Sequence, residues 1–211
     1  RITVIPMGVD TKKFDPKRFN PYKVKKILGF RDDQVIIGYC GRVVPLKGLH
    51  ILAEIVVHLA KKHNIGLLII GDGPLSRRVA HILENGKVEY RITGYIPNDL
   101  VPFYLSAIDI FCLPSFTEGL SIALLEAISM EKPCLATNVG GVSDVIIHEV
   151  NGFLINSPYN MRSWVKYLRV LIENEPLRVN MGKAGRTIAL SKFRWEAIIS
   201  KIEKVYKSVV K

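Results

Sequence analysis

The chain has 211 residues, of which 48% are hydrophobic, and it carries a formal net charge of +11. This length fits one large domain or two small ones with a substantial apolar core, and no apolar run approaches the length of a membrane-spanning helix. The basic residues are dispersed without interleaved aromatic side chains, which argues against a nucleic-acid-binding groove and indicates mostly solvated helix faces; a phosphate-rich ligand or contact with an anionic membrane surface remains an alternative.

The termini and the cysteines bear on localisation. Residues 1–3 show no signal peptide, and the absence of an initiating Met suggests that a segment preceded them. Cys40, Cys112 and Cys134 each fall in an apolar, strand-like run, which favours buried thiols in a reducing compartment over a disulfide or metal framework. We therefore expect a cytoplasmic protein, with the inner face of the membrane as a further location.

Strands and helices alternate along most of the chain. Residues 2–10 predict a short strand, and the basic segment that follows contains one short helix, at 22–28. The predicted strands beyond it are 35–40, 66–70, 88–93, 109–113, 134–137 and 153–155, and the predicted helices are 48–63, 75–84, 98–107, 120–130, 142–148, 161–174, 177–190 and 195–210. Alternation with continuous apolar strands is typical of a parallel sheet buried on both faces, so we predict a doubly wound, Rossmann-like α/β fold.

Glu126 is an acid in a helix that is apolar on nearly every face. Because desolvating an unpaired carboxylate costs several kcal/mol, we expect Glu126 to meet either a cation or the hydroxyls of a ligand. Glu118, eight residues earlier, precedes Gly119 in the preceding strand-to-helix loop. Both acids would lie at the carboxyl ends of the strands, where open α/β sheets bind ligands.

The loop 41–48, G-R-V-V-P-L-K-G, carries two cations. Its glycines lack the spacing of the dinucleotide fingerprint G-x-G-x-x-G. Arg42 leaves a strand and Lys47 precedes a helix, so both charges would lie beside a helix N-terminus, an arrangement that suits a diphosphate. Two surface cations in a polar turn are the alternative interpretation.

Several motifs, in a single order and spacing, resemble the donor domain of the retaining glycosyltransferases of family 4. The motifs are I-P-M-G-V-D at 5–10, G-R-V-V-P-L-K-G at 41–48, G-D-G-P at 71–74, T-G-Y-I-P at 93–97, P-S-F-T-E-G at 114–119 with a second Glu eight positions after the first, A-T-N-V-G-G at 136–141 and F-R-W-E at 193–196. Each motif is weak alone, and the series is specific.

The resemblance implies a two-domain GT-B enzyme. Residues 1–192 would bind a nucleotide-diphosphate sugar, residues 193–211 would form a helix that crosses back, and an N-terminal acceptor domain would lie outside this chain. Arg42 and Lys47 would hold the diphosphate, Glu118 the donor sugar and Glu126 the ribose. The other implied substrate-binding positions are Gly41, Gly71, Tyr95, Ile96, Pro97, Gly119, Leu120, Ser121 and Ile122. Ser121 stands where the family commonly has Gly or Pro, but it is small and suited to capping a helix.

The implied reaction is sugar transfer with retention of anomeric configuration, to an acceptor that is a lipid or a glycan. Arg42, Lys47 and the helix dipole would stabilise the leaving diphosphate electrostatically. No D-x-D triplet occurs, so we expect no metal and no other cofactor. The leaving phosphate would itself receive the acceptor's proton; hence no general base is assigned, and His50 and His148 are interpreted as structural.

Two other classes of function are weighed against this one. A sugar-nucleotide epimerase or a phosphorylase of the same architecture would need its own acid and base or a pyridoxal lysine, and it fits the ordered motifs poorly. A non-catalytic nucleic-acid-binding module would rely on the net charge, and its binding would collapse between low and moderate salt.

Overall fold

The structure, a computed structural model, describes residues 2–209. Its centre is a six-stranded, all-parallel sheet in the order β3-β2-β1-β4-β5-β6. The strands are β1 (Val35–Cys40), β2 (Ile65–Ile70), β3 (Glu89–Ile92), β4 (Ile110–Leu113), β5 (Cys134–Thr137) and β6 (Gly152–Ile155). The predicted doubly wound, Rossmann-like fold is confirmed.

The helices connect and cover these strands. They are α1 (Pro21–Ile27), α2 (Leu49–Ala60), α3 (Ser76–Asn85), α4 (Val101–Ser106), α5 (Ile122–Ser129), α6 (Val142–Val145), α7 (Met161–Glu173), α8 (Glu175–Ile188) and α9 (Trp195–Val209). A π-helical turn, Ala189–Phe193, joins α8 to α9. None of the helices within residues 2–209 combines the length and the hydropathy needed to cross a membrane.

The central strands supply most of the core. Every residue of β2, β4 and β5 is buried, because helices cover both faces of the sheet. Cys112 and Cys134 lie in this core as free thiols, as predicted, and Cys40 is only partly buried. Lys25 enters the amino edge of the sheet, where its Nζ donates to Asp109 Oδ2 at 2.6 Å and to the Gln34 carbonyl oxygen at 3.0 Å.

The predicted strand at 2–10 is wrong. Only Val9 bridges another segment, Arg194, and its amide donates to the Phe193 carbonyl oxygen at 2.8 Å. Within the described residues the rest of the stretch forms no ladder: Ile2 and Val4 are exposed, and Gly8 packs against Trp195 at the start of α9. Several predicted helices are also shortened: the one at 98–107 begins with a 3₁₀ turn, Asn98–Leu100, and the one at 142–148 ends at Val145.

Arg186 of α8 fastens the N-terminal segment to the domain. Its Nη1 donates to the carbonyl oxygens of Phe14 at 2.5 Å and Ser129 at 2.8 Å, and its Nη2 donates to the carbonyl oxygen of Thr11 at 3.0 Å. One guanidinium therefore joins three segments that are distant in sequence. The carbonyl oxygen of Phe14 also accepts the hydroxyl of the fully buried Ser129, at 2.8 Å.

The last helix, α9, is packed only at its start. Ile198 is buried, whereas Ile199 and Tyr206 are 49% and 67% exposed. Trp195 covers Gly8, where an added Cβ would collide with the indole ring. The N-terminal segment and the beginning of α9 thus lie side by side, and the apolar stripe farther along the helix is partly uncovered.

We expect Arg186→Met to lower the free energy of unfolding by at least about 2 kcal/mol, because three carbonyl oxygens would lose a charged donor. Urea denaturation measures the change. Arg162→Met is the matched control, since Arg162 is exposed on α7 and its side chain makes no hydrogen bond in the described part of the chain. Equal stability of the two variants would contradict this role for Arg186.

Candidate functional site

The predicted site residues follow the carboxyl ends of two adjacent strands. β1 and β4 are neighbours at the centre of the sheet, and the strand order reverses direction between them. In a doubly wound fold this reversal opens a crevice at the carboxyl edge. The loop 41–48 leaves β1 and the loop 114–121 leaves β4, so both border this crevice.

The loop after β1 is held in a fixed shape. The Tyr39 hydroxyl donates to the Arg42 carbonyl oxygen at 2.8 Å, while the Arg42 side chain is exposed. Gly41 has φ +146°, and Gly71, at the end of β2, packs so closely on the Gly41 carbonyl that no Cβ would fit there. Gly41 and Gly71, two of the predicted substrate-binding positions, are therefore adjacent. The guanidinium of Arg42 is accessible to a ligand.

Lys47 and Glu118 form an ion pair across the crevice. Lys47 ends a 3₁₀ turn, Pro45–Lys47, and its Nζ lies 2.6 Å from Glu118 Oε1. The Ser115 hydroxyl donates to the same oxygen at 2.6 Å. Only 7% of the Glu118 side chain is exposed, so the lysine and the serine satisfy a carboxylate that solvent hardly reaches.

The start of α5 presents free backbone donors. Ser121 is the N-cap, and its hydroxyl accepts from the Leu124 amide at 3.4 Å, which confirms the predicted capping role. The amides of Gly119, Leu120, Ser121 and Ile122 donate to no protein group within residues 2–209. No atom lies within 4 Å of a Cβ built on Gly119, so these amides border open space and suit an anion.

The loop after β5 supports the loop that carries Glu118. Gly140 has φ +53° and lies against the Glu118 carbonyl, where a Cβ would collide. The Gly141 amide donates to the Gly119 carbonyl oxygen at 2.9 Å. The motif A-T-N-V-G-G at 136–141 thus has a structural function: its glycines allow two loops to pack backbone against backbone.

Glu126 is buried and has no counter-charge in contact. It is 7% exposed, and its one hydrogen bond in the described residues is a long one, from Asn98 Nδ2 to Oε1 at 3.4 Å. Burial raises the pKa of the Glu126 carboxyl to about 7, and Asn98 and the more distant Lys13 offset only part of this effect. Cys40 at the end of β1 is close enough for the Glu126 charge to add to the effect of burial, which raises the pKa of that thiol to about 12.

The loop 95–97 reaches the site through its neighbours. The Gly71 amide donates to Thr93 Oγ1 at 3.1 Å, and Asn98 contacts Glu126, so both ends of the loop are anchored. Tyr95 is 90% exposed. The structure therefore places one end of this loop beside Gly71 and the other beside Glu126.

Sequence reasoning missed several supporting residues. Asn98 bonds Glu126 and in turn accepts from Lys13 Nζ at 2.5 Å, a contact 85 positions apart in sequence that no local pattern indicated. Ser115 lies within the quoted P-S-F-T-E-G motif, but no role was assigned to its hydroxyl. The position of a serine three residues before a buried acid was the available signal.

The two histidines differ. His148 Nδ1 accepts from the Leu154 amide at 3.0 Å, consistent with a structural role. His50 Nδ1 is buried without a hydrogen-bond partner in the described residues, and burial followed by the charge of Arg78 lowers the His50 pKa. Within residues 2–209, no three His, Cys, Asp or Glu side chains converge in a way that could hold a metal ion.

Comparison with protein families and curated proteins identifies relatives. The model of the family "Glycosyl transferases group 1" matches residues 22–188. The UDP-Gal:alpha-D-GlcNAc-diphosphoundecaprenol alpha-1,3-galactosyltransferase of Escherichia coli is 31% identical over 216 residues, which cover all of this chain and 55% of that protein. The chain spans about a third to just over half of the length of the curated relatives it matches.

Solved structures share the fold. The C-terminal domain of a glycosyl transferase group 1 family protein, LpcC, from Francisella tularensis superposes with a TM-score of 0.80 at 23% identity, over 89% of this chain and 100% of that one. Anabaena Alr3699/HepE in complex with UDP and glucose superposes with a TM-score of 0.86 at 22% identity, over 98% of this chain and 57% of that one.

Replacing Glu126 by Gln should stabilise the ligand-free protein at neutral pH. Because the folded-state pKa is raised, folding retains a proton that the unfolded chain has already lost, so stability falls as pH rises from about 4.5 to about 7. Glu126→Gln removes this loss, and its advantage over the parent should grow by about 2–3 kcal/mol between pH 5 and pH 8.

Urea denaturation at several pH values measures the difference. Glu203→Gln is the matched control, because Glu203 is exposed on α9 and its side chain makes no hydrogen bond or ion pair in the described residues, so the variant lacks the burial that drives the effect at Glu126. A Glu126→Gln protein that is less stable than the parent at every pH would mean that Glu126 is held by an internal cation.

Proposed function

We propose that this chain, which belongs to the glycosyl transferases group 1 family, is the half of a GT-B glycosyltransferase that binds a nucleotide-diphosphate sugar. The observation that carries the proposal is the buried, uncompensated carboxyl of Glu126, which lies at the crevice bordered by the cationic loop 41–48. A nucleotide-diphosphate sugar offers hydroxyls that can bond the buried carboxyl and phosphates that can pair with the cations of the loop.

The diphosphate would lie between the loop 41–48 and the start of α5. Arg42 supplies an exposed guanidinium and Lys47 an ammonium on the opposite side of the same loop. The free amides at residues 119–122 add donors and the positive end of a helix dipole. Two cations and several amides are enough to neutralise a diphosphate without a metal ion.

Glu126 would accept hydrogen bonds from the two ribose hydroxyls. Its carboxylate would then be solvated by the ligand in place of water, which favours the ionised form and lowers its raised pKa. Asn98 and the loop 95–97 adjoin Glu126, so the base would lie along that loop. The UDP complexes of Anabaena Alr3699/HepE support a nucleotide ligand for this fold.

Glu118 would contact hydroxyls of the donor sugar. In the ligand-free structure it is paired with Lys47, so a diphosphate that attracts the lysine releases a carboxylate for the sugar. Phosphate binding and sugar binding would thereby be coupled through one ion pair.

Transfer would proceed with retention of configuration and electrostatic stabilisation of the leaving group. Negative charge would develop on the departing diphosphate, and Arg42, Lys47 and the amides at 119–122 would stabilise it. The leaving phosphate would take up the acceptor's proton. No protein general base is proposed.

The acceptor, a lipid or a glycan, would be bound by a domain outside this chain. The Escherichia coli relative, of which the chain covers 55%, is named for a diphosphoundecaprenol-linked acceptor. We also propose that residues 193–211 form the helix that returns to that domain. The partly uncovered stripe of α9, with Ile199 and Tyr206 exposed, supports this assignment; residues 210 and 211 lie outside the described part of the chain.

The diphosphate assignment is tested by calorimetry on Arg42→Ala and Lys47→Ala, after a thermal-shift panel of UDP, GDP, ADP and their sugars has identified the nucleotide. Each substitution removes a charge-assisted contact, so affinity for the nucleoside diphosphate should fall about tenfold to 100-fold. Affinity for the nucleoside should stay unchanged, because it has no phosphate.

Lys61→Ala is the matched control, since it removes the same charge at the far end of α2, about 18 Å along the helix axis from the loop. Equal losses for nucleoside and nucleoside diphosphate in Arg42→Ala and Lys47→Ala would refute the assignment. The assay measures binding, because we expect negligible transfer without the acceptor domain.

Glu118→Gln and Glu126→Gln separate the sugar contact from the ribose contact. Glu126→Gln should weaken nucleoside binding about tenfold or more, through loss of charge-assisted bonds to hydroxyls. Glu118→Gln should leave nucleoside affinity unchanged, tighten nucleoside diphosphate binding because Lys47 is freed, and reduce discrimination among nucleotide sugars. Weaker nucleoside diphosphate binding by Glu118→Gln would show that Glu118 positions Lys47 and does not compete for it.

A further inference from the structure

A groove of about 600 Å³ lies between α2 and α7, apart from the site described above. It contains none of the residues assigned to the donor. Its lining consists of His58 from α2 and five residues of α7, namely Met161, Arg162, Val165, Lys166 and Arg169. Three cationic and two apolar side chains thus line one groove on this face of the protein.

The cations of the groove are available to a ligand. Arg162, Lys166 and Arg169 are exposed, and none of them pairs with a carboxylate in the part of the chain that the structure describes. Glu173, four residues beyond Arg169 on the same helix, has its carboxylate 3.7 Å from His63 Nε2. The positive charge of the groove is therefore not neutralised by this acid.

The spacing along α7 places the charges on one face. Residues 162, 166 and 169 follow the i, i+4, i+7 pattern and extend over about 10 Å of helix. Val165 and Met161 lie beside them in the groove. Beyond His58, the exposed Lys61 and Lys62 continue the positive surface after α2.

We propose that this groove and its basic rim bind anionic phospholipid headgroups and hold this face of the protein against a bilayer. The guanidinium and ammonium groups of α7 would contact lipid phosphates, while Met161 and Val165 would meet the interfacial region. Each exposed cation near an anionic surface contributes about 1 kcal/mol, so a cluster of this kind suffices for reversible attachment. The inference does not rest on the proposed donor site.

The composition favours a lipid surface over a protein or a nucleic acid. A protein partner would have to desolvate three clustered cations, Arg162, Lys166 and Arg169, which costs several kcal/mol per ion unless each meets a carboxylate, whereas headgroup phosphates stay hydrated beside them. A single-strand-binding groove would offer aromatic faces beside the cations, and the only aromatic ring in the lining is the imidazole of His58. Headgroup phosphates need only clustered cations beside a small apolar surface.

Co-sedimentation with vesicles tests the proposal, using phosphatidylcholine with and without phosphatidylglycerol at about 0.1 M salt, where exposed charges act over about 10 Å. The protein should bind only the vesicles that contain phosphatidylglycerol. Arg162→Gln combined with Lys166→Gln should weaken this binding about 30-fold, equivalent to about 2 kcal/mol for two cations. Its melting temperature should not change, because both side chains are exposed.

The matched control is Lys201→Gln combined with Lys204→Gln, which removes the same net charge from exposed positions of α9. It should alter vesicle binding by less than about threefold. Equal losses in the two double variants would show that only the overall charge of the protein matters, and would overturn the proposal. Two further results would overturn the proposal. One is a parent protein whose vesicle binding does not depend on phosphatidylglycerol. The other is a groove variant that loses binding to heparin, a polyanion that contains no lipid, while its vesicle binding is intact. Nucleotide binding by the groove variant should equal that of the parent, which keeps this result separate from the test of the donor site.

Discussion

Burial of one carboxyl group without a counter-charge is the constraint on which the rest of the site depends. Helix α5 must be apolar because it packs beside the central strands, and Glu126 interrupts it in its second turn. The raised pKa of this acid records a free-energy cost of ionisation that the fold does not offset by itself. A ligand that solvates the carboxylate removes this cost, so part of the binding free energy comes from relief of an unfavourable state.

Glu118, the other nearly buried acid of the site, differs from Glu126 because it has a counter-charge. Lys47 Nζ and the Ser115 hydroxyl both donate to its Oε1. This ion pair keeps a cation and an acid within reach of the crevice without leaving either charge exposed. Under the proposed function, a diphosphate competes with Glu118 for Lys47: the lysine exchanges one counter-charge for another, and hydroxyls of the donor sugar replace the lysine as hydrogen-bond partners of Glu118.

The sequence was sufficient for the sheet and insufficient for the contacts that join distant segments. The six strands lie within one or two residues of their predicted bounds, because a parallel strand buried on both faces needs an unbroken apolar run. The stretch 2–10 is also rich in apolar residues but lies beside the start of α9, where Trp195 packs on Gly8 and Val9 makes a single bridge to Arg194. Asn98 beside Glu126 and Arg186 beside Phe14 depend on packing across 28 and 172 positions, which no periodicity reports. Lys47 and Glu118, by contrast, both belong to quoted motifs, and the expectation that their loops border one crevice agrees with the 2.6 Å between Lys47 Nζ and Glu118 Oε1.

The exposure of the site explains why binding and transfer should be separable. Tyr95 is 90% exposed, and no atom in the described part of the chain lies within 4 Å of a Cβ built on Gly119, so the crevice is open to solvent at these two positions. Charges in an open crevice are screened by water, and their effect on a developing negative charge is weak compared with the same charges in a closed site. Under the proposed function, closure by the acceptor domain would do more than deliver the acceptor: by excluding water it would strengthen the electrostatic contribution of Arg42, Lys47 and the amides at 119–122 at the moment of transfer.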